Sequence, residues 1–254
     1  MPSPEEPTTV STSPSPRDRL FATPRQLVDF AFDKAVADVF PDMIRRSVPG
    51  YETVVALTGL LAARHLPQGG RCYDLGCSLG ASTLAVLRAM GGTPCRILAV
   101  DSSAAMLAEA RRVREFDDRV EWVEADVRDV EVDRAQVVIL NYVLQFLPPE
   151  DRLPLLRRIR AGLTGGGVLI VSEKLAAGGY FDGLHVDFKR ANGYSELEVS
   201  QKRAALENVM RIDTEDTHLA GFRDAGYGAA RVWFRCLNWA SFVAWPDGGP
   251  DSAP

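Results

Sequence analysis

Tyr73-Asp74-Leu75-Gly76-Cys77-Ser78-Leu79-Gly80 joins a short apolar strand to a helix through one acidic residue and two glycines four positions apart. Residues 71–73 predict the end of a strand, and residues 81–90, Ala-Ser-Thr-Leu-Ala-Val-Leu-Arg-Ala-Met, predict the helix that follows. Gly76 permits a sharp turn there, and Gly80 lets the helix lie close to the sheet. A strand handed to a helix in this way presents a turn suited to a nucleotide-like ligand.

Downstream of that turn the apolar pattern keeps alternating between the two periods. Strands are predicted at 96–101, 120–126, 136–141 and 167–173, with helices at 104–114 and 149–163. Alternation of this kind means a parallel sheet with right-handed crossovers. Ahead of it, residues 26–39 and 51–65 carry helical spacing and are separated by Pro41-Asp42 and Pro49-Gly50, as two lid helices would be. After Glu173 a loop containing Gly178, Gly179 and Gly183 leads to Ser195-Glu196-Leu197-Glu198, a capping box expected to start a helix running to about Met210. A helix at 214–225 and closing strands at 230–236 and 240–245 complete the chain. The expected fold is α/β: a Rossmann-like, seven-stranded and mostly parallel sheet of the class I methyltransferase kind, with N-terminal lid helices and a helical insertion after the fifth strand.

The 254 residues, 46% of them hydrophobic, suit one domain at 19–246 between tails at 1–18 and 247–254 that lack the apolar content to fold. A net charge of −5 argues against a broad basic surface for nucleic acid. Cys72, Cys77, Cys95 and Cys236 include no CxxC pair and no histidine spacing for zinc, which predicts free thiols in a reducing cytoplasm and no metal. The N-terminal stretch has no apolar core of a secretory signal. The longest apolar run, 137–147, is broken by Asn141 and Gln145 and is too short to span a bilayer.

What the turn holds is narrowed by spacing. A dinucleotide fingerprint needs a third glycine, which Gly76-Cys77-Ser78-Leu79-Gly80 lacks. The pattern D-x-G-x-S-x-G instead resembles the S-adenosylmethionine (SAM) turn of class I methyltransferases, with Ser78 where a glycine is more usual. Asp101 closes the second predicted strand, where a carboxylate can accept from both ribose hydroxyls. Asp126 closes the third, placed with the Val127 backbone to read an adenine amino group. Asn141 closes the fourth and faces the crevice at the strand ends. Each of these also has a bland reading as a cap of a helix or turn. Their order along the chain favours a cofactor site.

Other blocks carry a narrower resemblance. Phe40-Pro41-Asp42-Met43-Ile44, Arg46-Ser47-Val48-Pro49-Gly50-Tyr51, the run from Asp187-Phe188-Lys189-Arg190-Ala191-Asn192-Gly193-Tyr194 through the capping box, Ser200-Gln201-Lys202-Arg203 and Leu206-Glu207-Asn208-Val209-Met210 closely resemble the carboxy-S-adenosyl-L-methionine synthase (CmoA) family over about residues 19–245. The resemblance implies that SAM and prephenate become carboxy-SAM and phenylpyruvate, and that a separate enzyme uses the product to modify a wobble uridine of tRNA. It implies SAM contacts at Tyr51, Gly76, Cys77, Ser78, Asp101 with Ser102, Asp126 with Val127, and Asn141. It also implies a homodimer, and a catalytic grip on the new carboxylate by Arg203.

A guanidinium offers two parallel charge-assisted hydrogen bonds to such a carboxylate. The bland alternative pairs Arg203 with Glu207 on a solvated helix face. Lys189 and Arg190 are candidates for the carboxylates of prephenate, against a reading as a solvated basic pair. His185, a single histidine where the family often has two, reads as a loop or structural residue. Trp233, Phe234, Trp239, Phe242 and Trp245 read as core of the closing strands, so direct RNA binding is not expected. Two other functions remain compatible with the chain: a small-molecule SAM-dependent methyltransferase on the same scaffold, and a non-catalytic SAM-binding protein.

Overall fold

The computed structural model describes residues 16–24, 26, 28–113 and 117–249. The tail residues 1–15 and 250–254 lie outside the described residues. Seven strands form one sheet: β1 Arg71–Leu75, β2 Arg96–Asp101, β3 Val120–Glu124, β4 Ala135–Asn141, β5 Leu163–Lys174, β6 Ala229–Cys236 and β7 Trp239–Trp245. Their order is β3-β2-β1-β4-β5-β7-β6. β7 runs antiparallel to β5 and β6, and the other pairs are parallel, as the sequence predicts. Chain order reverses between β1 and β4, and a crevice opens at the carboxyl ends of the strands at such a point.

The central strands are continuous apolar runs because helices cover both faces. Val137, Val138, Ile139 and Leu140 on β4, and Val168, Leu169, Ile170 and Val171 on β5, are fully buried. Alternate residues face opposite layers. Val138 and Leu140 pack with Leu155, Ile159 and Phe222, whereas Val137 and Ile139 pack with Ala62 and Val86. Each such side chain contributes roughly 1.5–3 kcal/mol through burial, so the two layers fix strand register before any polar group is considered.

The helices are α1 Lys34–Ser47, α2 Tyr51–His65, α3 Ala81–Met90, α4 Ala104–Val113, α5 Pro149–Gly162, α6 Gly179–Ala191, α7 Glu196–Leu206 and α8 Glu215–Asp224, with a 3-10 turn at Leu144–Phe146. Three differ from expectation or refine it. The first lid helix begins at Lys34 rather than 26, because Asp33 caps it by accepting from Val36 N at 2.9 Å. It also continues through Pro41, where a break was expected. One turn later Asp42 and Arg46 form a buried ion pair at 3.0 Å, and Asp42 also accepts from Asp18 N at 2.8 Å, which holds the helix past the missing donor.

The expected glycine loop after β5 is the helix α6. Asp182 lies in its first turn and Lys189 and Arg190 in its last, favourable ends for the helix dipole, and Gly193 at φ +81° closes it. The capping box at Ser195 and Glu198 is present as expected, although α7 stops at Leu206 rather than Met210. Asp18, assigned by sequence to the tail, is buried, with Tyr194 Oη donating to it at 2.6 Å. Asp247, counted with the other tail, pairs with Arg160 at 3.5 Å. Among the described residues no helix is long and apolar enough to cross a membrane.

Candidate functional site

The glycine turn is locked by contacts that explain its composition. Asp74 is buried and accepts from Thr83 N at 2.9 Å and Thr83 Oγ1 at 2.6 Å, so the acidic residue of the motif ties the start of α3 to β1. Burial pushes its carboxyl up to about 6. Gly76 has φ +78°, and a Cβ there would come within 2.4 Å of Val143 Cγ2. Gly80 has φ +74°, and its Cβ would meet Trp122 Cη2 on β3 at 2.4 Å, which is the close helix-to-sheet approach expected of it. Ser78 has φ +50°, the left-handed region that a glycine would occupy without strain.

Above the turn lies a cavity of about 360 Å³, within the range of small-molecule sites. Tyr51, Gly76, Cys77 and Ser78 line it, together with Asp101, Ser102, Asp126, Val127 and Asn141. Arg203, the remaining predicted site residue, is exposed on α7 and is not part of this wall. Burial lowers the ammonium pKa of Lys174 and Lys189, and the charge of Arg203 adds to the lowering of both. The alternative pairing of Arg203 with Glu207 does not occur among the described residues.

Three of the polar wall residues have structural partners as well. Asp101 accepts from Ser78 N and Ser103 N, both at 2.8 Å, so it braces the turn against β2. Burial raises its carboxyl pKa. Asp126 lies two residues beyond β3 rather than at its end, and Arg128 grips both of its oxygens at 3.0 and 2.7 Å, holding the carboxyl below its usual range. Asn141 Nδ2 donates to Ser82 Oγ at 3.0 Å, and its Oδ1 accepts from Ser172 Oγ at 2.7 Å, which knits β4 to α3 and β5. The capping reading and the site reading therefore apply to the same residues.

On the rest of the wall, Lys189 was a sequence candidate, whereas Lys174, Tyr142 and Lys202 were given no role. Lys174 ends β5 and Trp239 begins β7; the two are paired across the antiparallel register, so the start of β7 reaches the same sheet end as the finish of β5. The rule that strand ends face the crevice would have found Lys174. Tyr142, at φ +65°, packs between Tyr51, tilted at 5.9 Å, and Trp239, edge-on at 5.5 Å. It is held there by Glu173, whose buried carboxylate accepts from Val143, Leu144 and Gln145 N–H at 3.1, 2.8 and 3.0 Å.

From α6, Lys189 and His185 line the cavity, whereas Arg190 turns to the surface and pairs with Asp187 and Glu196. His185 is buried and its Nε2 donates to Ser47 O at 2.7 Å. Burial, helped by the charge of Lys189, pushes its pKa down to about 3, so it stays neutral. Burial also lowers Lys189 to about 8 and Lys202 to about 7. The cavity thus has a turn-and-strand end with bound carboxylates and an α6–α7 end rich in ammonium groups.

Residues 73–167 match a family described as methyltransferase domain. Over 239 residues the chain is 49% identical to the carboxy-S-adenosyl-L-methionine synthase of Vibrio cholerae serotype O1, covering 91% of this chain and 97% of that protein. It is 50% identical to the protein of the same name from Photobacterium profundum, over 90% of this chain and 97% of the relative. The chain belongs to the carboxy-S-adenosyl-L-methionine synthase family. It is an enzyme of that transferase class. Among solved structures it resembles human N-acetylserotonin methyltransferase in complex with SAM, at TM-score 0.55 and 18% identity over 84% of this chain, and CalO1, a methyltransferase of calicheamicin biosynthesis in its SAH-bound form, at TM-score 0.53 and 25% identity over 78%. This chain spans 55% of the length of each, and the likeness carries the fold.

Proposed function

We propose that this chain binds SAM at the turn-and-strand end of the cavity and converts it, with prephenate, to carboxy-SAM and phenylpyruvate. The observation that carries the reading is the pairing of two unlike ends in one cavity. Gly76 to Ser78, Asp101, Ser102, Asp126, Val127 and Asn141 line it from the glycine turn and the finishes of β2, β3 and β4, while Lys174, Lys189 and Lys202 line it from β5, α6 and α7. Methyl transfer to a neutral acceptor does not call for the second end.

Chemically, the sulfonium acidifies the methyl protons of SAM. Prephenate loses CO2 and expels hydroxide as its ring becomes aromatic; hydroxide takes a methyl proton to form water, and the resulting ylide carbon bonds to the CO2. The chain's task is to place the two substrates, exclude water and stabilise developing charge, and no nucleophilic side chain is required. The product would serve as carboxymethyl donor for a separate enzyme acting on a tRNA wobble uridine, and the active species would be a homodimer.

The exposed position of Arg203 favours a second reading, a small-molecule methyltransferase that kept the scaffold. Two measurements separate them. Denaturing the purified protein and weighing the nucleotide it releases yields SAM plus one CO2 on the synthase reading; SAM or S-adenosylhomocysteine alone, after expression with prephenate present, sinks it. Arg203→Ala is expected to abolish carboxy-SAM retention and spare SAM binding, and unchanged retention removes the role assigned to Arg203.

A further inference from the structure

The three ammonium groups on the cavity wall are not equivalent. Lys202 is committed within the protein: its Nζ donates to Ser47 Oγ at 2.9 Å, lies 3.9 Å from Asp18 and sits 5.3 Å from the centre of the Tyr194 ring. Lys174 and Lys189 differ. Neither ammonium has a hydrogen bond or ion pair among the described residues. The charges acting on Lys189 are those of Lys174 and Arg203, both positive, while Lys174 feels Asp182 and Arg203. His185, on the same wall, is neutral and already donates to Ser47. Half-buried cations that gather with Asp182 alone as counter-charge, and none acting on Lys189, are costly unless a ligand supplies more.

SAM cannot supply it. With a sulfonium, an ammonium and one carboxylate, SAM is a net cation, and a further pair of ammonium groups beside it repels it. A second substrate carrying two carboxylates would balance Lys174 and Lys189 and leave the SAM charge to be met by the carboxylates at the strand ends. We propose that Lys174 and Lys189 form the recognition site for the carboxyl donor and select a dicarboxylate over a monocarboxylate, while Lys202 shapes the wall without contacting it. This rests on the reading that one cavity takes both SAM and a carboxyl donor.

The test uses the full-length enzyme with Lys174→Met and Lys189→Met, which keep side-chain length and remove charge. KM for prephenate is expected to rise about tenfold or more in each, the loss of one charge-assisted contact, with SAM affinity by calorimetry within about twofold of the parent. Lys189→Arg is expected to recover most of the loss. A fall in SAM affinity with unchanged prephenate KM would assign the lysines to the SAM carboxylate and overturn the proposal, as would no change in either quantity. Intact SAM binding also reports that the variants are folded. Should the parent enzyme make no carboxy-SAM, the function proposed above fails, and prephenate binding is then read directly by calorimetry. Binding to the parent that is lost in Lys189→Met upholds the site; equal binding, or none to the parent, overturns it.

Discussion

The two ends of the cavity are built by opposite means. At the turn-and-strand end, function is set by backbone: Gly76, Ser78 and Gly80 lie in left-handed conformations, and the carboxylates of Asp74 and Asp101 are tied to N–H groups within one β-α-β unit. At the α6–α7 end it is set by side chains from distant segments: Lys174 from the end of β5, His185 and Lys189 from α6 and Lys202 from α7, with His185 and Lys202 both bonded to Ser47 of α1. A backbone site tolerates no change of shape, whereas a side-chain site is sensitive to charge and indifferent to glycine. That difference can be broken experimentally.

The largest effect is expected from one substitution made in the turn and on the outer face of α6. Gly76→Ala places a methyl 2.4 Å from Val143 Cγ2 at φ +78°, a clash plus left-handed strain together worth roughly 2–4 kcal/mol of stability, with SAM affinity falling alongside. Gly183→Ala on α6 meets nothing within 4 Å and has an ordinary φ, so it should gain about 0.5–1 kcal/mol from helix propensity and leave SAM affinity unchanged. Chemical denaturation of both variants checks the pair. Equal and same-sign shifts would show that the two ends are not built differently.

A smaller effect is expected from pH, and it reports on the α6 end. His185 is held at about 3 in the fold, against an ordinary value of 6.5, by burial and by Lys189, with Lys174 adding and Asp182 opposing. Below pH 6.5 the unfolded chain binds a proton that the folded chain refuses, so the stabilising contribution is complete above 6.5 and is lost as pH falls toward 3. The slope is on the order of 1 kcal/mol per pH unit. His185→Gln retains a donor for Ser47 and should flatten the stability curve between pH 6 and pH 4 by that amount. Parallel curves for parent and variant would mean that His185 is accessible to protons.

The same contrast explains what could be read from the sequence. The turn, the alternation of strands and helices and the capping box at Ser195 were legible because each is a local pattern: glycine spacing, alternating period, or a serine three residues before a glutamate. The course of α1 through Pro41 was not, because the Asp42–Arg46 pair and the contact from Asp18 that hold it come from the fold. Nor was the division of Lys189 from Arg190: adjacent basic residues look alike until α6 turns one inward and gives the other Asp187 and Glu196. Tyr142 went unremarked, and Trp239 was read only as core of the closing strands, because an aromatic at a strand end is more often core.

The smallest effect tests whether the turn is strained by its own sequence. Ser78 holds φ +50°, at a cost of about 1 kcal/mol for a residue with a Cβ, and among the described residues its Oγ has only Met106 Sδ at 3.5 Å in return. Ser78→Gly removes that strain but loosens the unfolded chain by a comparable amount, about 0.5–1 kcal/mol. The expected net change is therefore a gain of a few tenths of a kcal/mol. Ser78→Ala keeps the strain and loses the hydroxyl, so it should fall slightly below the parent. The backbone N–H of residue 78 still reaches Asp101 in all three, so SAM affinity should hardly move. If Ser78→Gly instead weakens SAM binding severalfold while Ser78→Ala weakens it equally, the hydroxyl itself contacts the ligand, and the turn is no longer a site made by backbone alone.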